Sequence, residues 1–177
     1  ESLYRFFPRT IYYSWLSAWH LEAERLKKMG LGPWNLQNEM LRFQFIQVGT
    51  IAVLTFVFGW SVAILWVIGA LIGALLLETV NYIEHYGLLR KETKSGIYER
   101  VQPHHSWNSD HLIGRLILFE LSRHSDHHYL ASRKYQVLRS FEASPQMPTG
   151  YPGMMILAMM PPLWFRIMDR RLEQVNT

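Results

Sequence analysis

Six of the eight histidines fall between His104 and His128, and the tightest group is Arg123-His124-Ser125-Asp126-His127-His128. On a helix, positions i, i+3 and i+4 share one face, so His124, His127 and His128 would bring three imidazoles to one region. Neutral imidazole is the commonest protein ligand for first-row transition metals, and this spacing reads as a preorganised metal site. His85, in Asn81-Tyr82-Ile83-Glu84-His85-Tyr86-Gly87, ends a long apolar stretch. Ionisable groups at such a depth are costly unless they face a protein interior or a cavity. It is read as a fourth ligand, with Glu84 as a carboxylate that would orient an imidazole. Asp126 is a second candidate for that orienting role. His104, His105 and His111 stand among Pro103, Ser106, Asn108 and Ser109, residues that favour turns. They are read chiefly as structural or ligand-orienting groups, with ligation left open. His20 is expected to be inert.

The inventory narrows the chemistry. There is no cysteine, so disulfide scaffolds, thiolate-held clusters, cysteine nucleophiles and haem attachment are excluded. Any metal must sit on His, Asp or Glu, a donor set that admits Zn, Cu, Ni and Fe. The sequence contains no H-E-x-x-H metalloprotease motif and no Glu-x-x-His pair of the carboxylate-bridged di-iron bundles. What remains is a histidine-rich site at the end of membrane helices, where an apolar substrate could arrive from the bilayer. Oxygen-dependent oxidation of a lipid-like molecule suits that placement.

The elements that would carry this site follow from where charge is absent. The chain has 177 residues, 18% charged and 49% apolar, with a net charge of +4. Its mean hydropathy near zero averages two unlike parts, because every residue from Phe43 through Leu77 is uncharged. A helix needs roughly 17–25 apolar residues to cross the hydrocarbon core, so residues 43–83 are expected to form a transmembrane helical hairpin with Gly59, Trp60 and Ser61 at its tip. Arg25, Lys27, Lys28 and Arg42 flank one side, and Arg90, Lys91, Lys94 and Arg100 the other, while the tip has no cation. Both ends are therefore expected to face the cytoplasm. Gly69 and Gly73 form a G-x-x-x-G step that would admit another helix backbone.

Upstream, residues 8–29 read as an interfacial helix, with Tyr12, Tyr13, Trp15 and Trp19 at membrane-interface positions and a basic end before Gly30. The opening residues lack the basic start and small-residue cleavage site of a signal peptide. Residues 84–140 form the His-rich cytoplasmic part, and residues 141–177 a membrane-surface tail interrupted by Pro161 and Pro162. With no compact Lys/Arg run, nucleic-acid binding is not expected. The expected fold is all-α: an integral membrane helical bundle with a His-rich helical cap.

At the histidine blocks the sequence closely resembles the bacterial membrane alkane 1-monooxygenases. The blocks are Asn81–Leu88, Gln102–Ser109 and Leu121–His128, extended by Tyr135–Leu138 and Pro148–Gly153. The resemblance runs from Glu1 to about Asp169. It implies an all-helical inner-membrane enzyme with two non-haem irons held by histidines, hydroxylating the terminal carbon of alkanes with O₂ and electrons from rubredoxin. On that pattern His85, His124, His127 and His128 match iron ligands, the reactive species forms at the iron, and no side chain is itself assigned a catalytic role. Ser122 stands where the family usually has Gln, a change of little weight for ligation. The family's two further His blocks are absent. Four ligands do not complete a two-iron centre, so the chain is expected to be the C-terminal part of a longer enzyme, inactive without its upstream half. Two other classes stay open: a membrane fatty-acid desaturase or hydroxylase, and a non-enzymatic membrane metal-binding subunit.

Overall fold

The computed structural model describes residues 1–93 and 96–176, and every regular element among them is helical. Lys94, one of the cations named above, lies outside the described residues. The chain divides into two compact units, one of residues 5–77 and one of residues 1–4 together with Glu78 onward.

In the first unit, α1 (Leu3–Lys28), α2 (Glu39–Phe58) and α3 (Trp60–His85) follow one another, α3 continuing into the second unit. α1 ends on Arg25, Lys27 and Lys28, cations that complement the negative end of the helix dipole. It begins five residues before the expected start. Pro8 lies inside it, and one missing N–H near a helix start removes a single backbone bond. Glu22 joins α1 to α2. Its carboxylate accepts from Arg25 Nε and Nη2 at 2.7 Å each and from the Glu39 N–H at 2.7 Å. The hydrogen bond from Arg25, then that from Glu39, pulls the Glu22 carboxyl down to about 2. Asn38 caps α2 by accepting from the Leu41 N–H at 3.1 Å.

One residue separates α2 from α3. Gly59 has φ +84°, a left-handed conformation that glycine adopts without steric cost, and its N–H still bonds to Thr55 O at 2.9 Å. The expected three-residue tip is thus Gly59 alone, with Trp60 and Ser61 already helical. Both helices are long and apolar enough to cross a membrane. Between Phe43 and Leu77 only Ala63 is buried. A Cβ at Gly69 or Gly73 would meet nothing within 4 Å.

The second unit is built differently. Its helices are short apart from the last: α4 (Leu112–Ile117), α5 (His124–Tyr129), α6 (Tyr151–Ala158) and α7 (Pro161–Asn176), with 3-10 turns at Pro103–His105 and Tyr135–Val137. Two isolated bridges, Glu92 with Tyr98 and Asn108 with Gln146, tie the intervening loops. The C-terminal segment supplies core to this unit. Trp164 and Met168, one turn apart on α7, are fully buried, as is Met154 on α6. The Trp164 ring lies 5.1 Å from those of Tyr82 and Tyr86 at the end of α3. Gly87, at φ +72°, lets the Leu172 side chain sit where a Cβ would be. Pro161 and Pro162 open α7, in the first turn, where a missing N–H costs nothing.

Candidate metal centre

The site depends on the last turn of α3 being held against the start of α5, and two adjacent residues do this. Trp107, fully buried, donates its backbone N–H to Glu84 O and its indole Nε1–H to Tyr86 O, both at 2.8 Å. Those carbonyls lie at the helix end, where no intrahelical donor reaches them. Asn108, also fully buried, grips the other helix. Its Oδ1 accepts from the Ser125 N–H at 2.9 Å, and its Nδ2 donates to Ser125 Oγ at 2.8 Å. α5 is fixed further by Asp126, which is completely buried. It accepts from Arg133 Nη1 and the Arg139 N–H at 2.8 Å each. At the start of α5, Arg123 donates to Leu138 O at 2.7 Å and pairs with Asp110 and Glu120.

This scaffold brings His85, His124 and His128 together, with one potential ligand atom from each lying within 4.8 Å of the others. The Nε2 atoms of His85 and His124 face each other at 3.1 Å, and the His124 and His128 rings are 4.3 Å apart. His127 stands beside the group, its ring 5.6 Å from His128 and 6.0 Å from His124, and it is not one of the three converging ligands. Behind the cluster, Glu84 Oε1 lies 3.3 Å from His124 Nδ1 and accepts the Tyr151 hydroxyl at 2.6 Å. A carboxylate on Nδ1 fixes the tautomer that leaves the Nε2 lone pair free for a metal.

Burial pushes His124 down to about 2, with His128, His85 and His127 adding to the shift. Burial likewise lowers His128 to about 4, helped by His85 and His127. Both are neutral near pH 7, the form that ligates. Tyr151 is raised, first by burial and then by Glu84, and remains a donor. Three converging neutral imidazoles with a hydrogen-bonded carboxylate behind one of them suit a first-row transition metal.

The other candidates go elsewhere. His105 is buried with both ring nitrogens engaged: Nδ1 accepts the Gln102 N–H at 3.0 Å, and Nε2 lies 3.3 Å from Glu99 Oε1. His104 is exposed, its ring 4.1 Å from that of His105. His111 is exposed at the start of α4, beside Gly150. His20 is exposed on α1. Asp126 serves the two arginines. Sequence reasoning assigned no role to Trp107, Asn108 or Tyr151, although all three lie in the blocks quoted above. A Trp-Asn pair between histidines is the one signal that could have pointed to the first two. Beside the cluster is an open cavity of about 540 Å³, lined by His85 and His128 and by Leu88, Leu89, Tyr98 and Val101 among others.

An all-helical protein with two helices of membrane-spanning length and a histidine cluster at the end of one of them is the class that fold and site define. Within that class the chain belongs to the fatty acid desaturase family, which matches residues 1–158. It is similar to alkane 1-monooxygenase 2 of Pseudomonas aeruginosa, 47% identical over 98% of this chain and 46% of that protein. It is similar too to the alkane 1-monooxygenase of Ectopseudomonas oleovorans, 46% identical over 97% of this chain and 43% of the relative. The xylene/toluene monooxygenase hydroxylase component XylM of Pseudomonas putida is more distant, 27% identical over 96% of this chain and 44% of that protein. The chain spans a little under half the length of these relatives.

Proposed function

We propose that this chain supplies part of the histidine ligand set of a membrane di-iron monooxygenase that hydroxylates the terminal carbon of alkanes, with O₂ as co-substrate and rubredoxin as electron donor. The observation that carries this is the convergence of His85, His124 and His128, backed by Glu84 and Tyr151. Iron held there would supply the redox chemistry that places one oxygen atom of O₂ on a C–H carbon and releases the other as water. His85, His124 and His128 would hold the metal, and His127, on the same short helix, is assigned to the same two-iron centre. Glu84 would keep the His124 ring in its ligating tautomer, and Tyr151 would keep Glu84 in place. Leu88, Leu89 and Val101, in the open cavity beside His85 and His128, would offer apolar contacts to the chain end of a hydrocarbon. The remaining ligands would come from an upstream half of the enzyme. The flanking cations support a site on the cytoplasmic side of the bacterial inner membrane.

In the complete protein, His124→Ala or His127→Ala is expected to abolish both iron occupancy and alkane turnover, and His20→Ala to change neither. Equal effects of all three would refute the ligand map. The family match favours a second reading, a fatty-acid desaturase or hydroxylase. Product analysis after feeding alkanes and acyl lipids separates the two, since terminal alcohols support the first and unsaturated or hydroxylated acyl chains the second. Reversible zinc binding without O₂-dependent turnover would support a non-enzymatic metal-binding subunit.

A further inference from the structure

α7 carries a concentration of charge that the histidine cluster does not use. Arg166, Arg170 and Arg171, with Pro148, Ile167 and Gln174, line a concavity of about 440 Å³. Arg166 and Arg170, four residues apart, share one face of the helix, and Arg171, about a quarter-turn round from Arg170, reaches the same concavity. Among the described residues no carboxylate lies within 4.0 Å of any of them. Asp169, the acid next to Arg170, is turned to the Tyr86 hydroxyl at 2.6 Å. Among the described residues Arg171 alone of the three has a hydrogen-bond partner, Gln146 O, at a long 3.4 Å. Three like charges around one concavity repel, and an anion seated among them would relieve that repulsion. The guanidinium fork matches the oxygens of a phosphate group.

What lies next to the arginines decides the source of the phosphate. The end of α6 and the start of α7 expose Ile156, Met159, Met160 and Leu163. At 1.5 Å per residue, Leu163 precedes Arg166 by about 4.5 Å and Arg170 by about 10 Å along the helix. The headgroup layer outside the hydrocarbon core is roughly 5–8 Å deep on each side. With the apolar corner against acyl chains and α7 rising from it along the membrane normal, the guanidiniums come within reach of the phosphate level, where cations attract anionic lipid. A site for free phosphate would have no use for the exposed apolar corner.

We infer that Arg166, Arg170 and Arg171 form a binding site for the phosphate group of an anionic phospholipid headgroup. The site stands apart from the histidine cluster and does not depend on which reaction that cluster supports. The test uses the complete protein in detergent, with phosphatidylglycerol and phosphatidylcholine as competing ligands followed by native mass spectrometry. The protein is expected to retain phosphatidylglycerol preferentially. The triple variant R166Q/R170Q/R171Q is expected to lose that preference by about fivefold or more, whereas the charge-matched K27Q/K28Q/K134Q should change it less than about twofold. Should the triple variant not fold, Arg170→Gln alone is expected to lower the preference about twofold. Equal losses in the triple variant and its control, or no preference in the unmodified protein, would overturn the site. Inorganic phosphate displacing the lipid as completely as excess lipid does would make it a free-phosphate site and overturn the inference. So would a triple variant that keeps its lipid preference but no longer binds an acidic electron-donor protein.

Discussion

Residues 5–77 and the unit beginning at Glu78 use opposite means of specifying structure. In the first, the helices α2 and α3 follow from composition: an uncharged run, one glycine to break it, and between Phe43 and Leu77 a single buried side chain. In the second, much of the chain is irregular, and its course is fixed by buried polar groups with named partners, Trp107, Asn108, Asp126, Ser125 and Glu84. Apolar burial is non-directional and tolerates many sequences. A buried hydrogen bond is directional and costly to leave unmade. Point substitutions should therefore be felt sharply in the second unit and weakly across the apolar helices of the first.

The largest expected effect is at Asp126. Asp126→Ala leaves Arg133 and the Arg139 N–H without their acceptor and should destabilise the complete protein by about 3 kcal/mol, read as a fall in thermal midpoint. An unchanged midpoint would erase the contrast between the units. Two glycines test it directly. Gly87→Ala forces a Cβ into Leu172 at a positive φ and should cost about 1–2 kcal/mol. Gly69→Ala, in open space on a helix, should be neutral or stabilising by up to about 1 kcal/mol; a comparable loss at Gly69 would reveal a neighbour packed on that face. Tyr151→Phe removes the hydroxyl that holds Glu84, and metal affinity at the histidine cluster should weaken about tenfold with little change in fold, measured by competition with a chelator.

A separate test, needing no substitution, is the pH dependence of the metal-free protein. His124 and His128 are held well below the ordinary imidazole value in the folded state, so below about pH 6.5 the unfolded chain binds protons that the folded chain does not. Stability should be fully present above that pH and decline as pH falls from about 6.5 toward 4. A thermal midpoint that stays flat between pH 7 and 5 would show that the two histidines are not kept neutral by the fold.

How much was legible beforehand depends on how local the signal is. The apolar run and its break at Gly59 could be read from neighbouring residues, because helix formation and hydrophobicity act over a few positions. The trimming of the expected tip to Gly59 reflects how little chain a single positive φ needs to turn. The His124–His128 spacing on α5 was equally local. That His128 and His124 converge with His85 while His127 stands aside required knowing where α5 meets α3, which spacing within one helix cannot specify. The capping role of His105 needed Glu99 and Gln102 in place around its ring. Trp164 looked like part of a surface segment because its ring partners, Tyr82 and Tyr86, are some eighty residues away in the sequence.

The sequence by itself determined the charge-free helices, the all-α class and the supply of imidazoles, since each depends on residue type and short-range period. Tertiary structure alone decided which imidazoles meet, which carboxylate stands behind them and which tyrosine holds that carboxylate. The physical reason is distance along the chain. His85 and His124 are thirty-nine residues apart, and Glu84 and Tyr151 sixty-seven. Contacts of that range exist only once Trp107 and Asn108 have joined the end of one helix to the start of another.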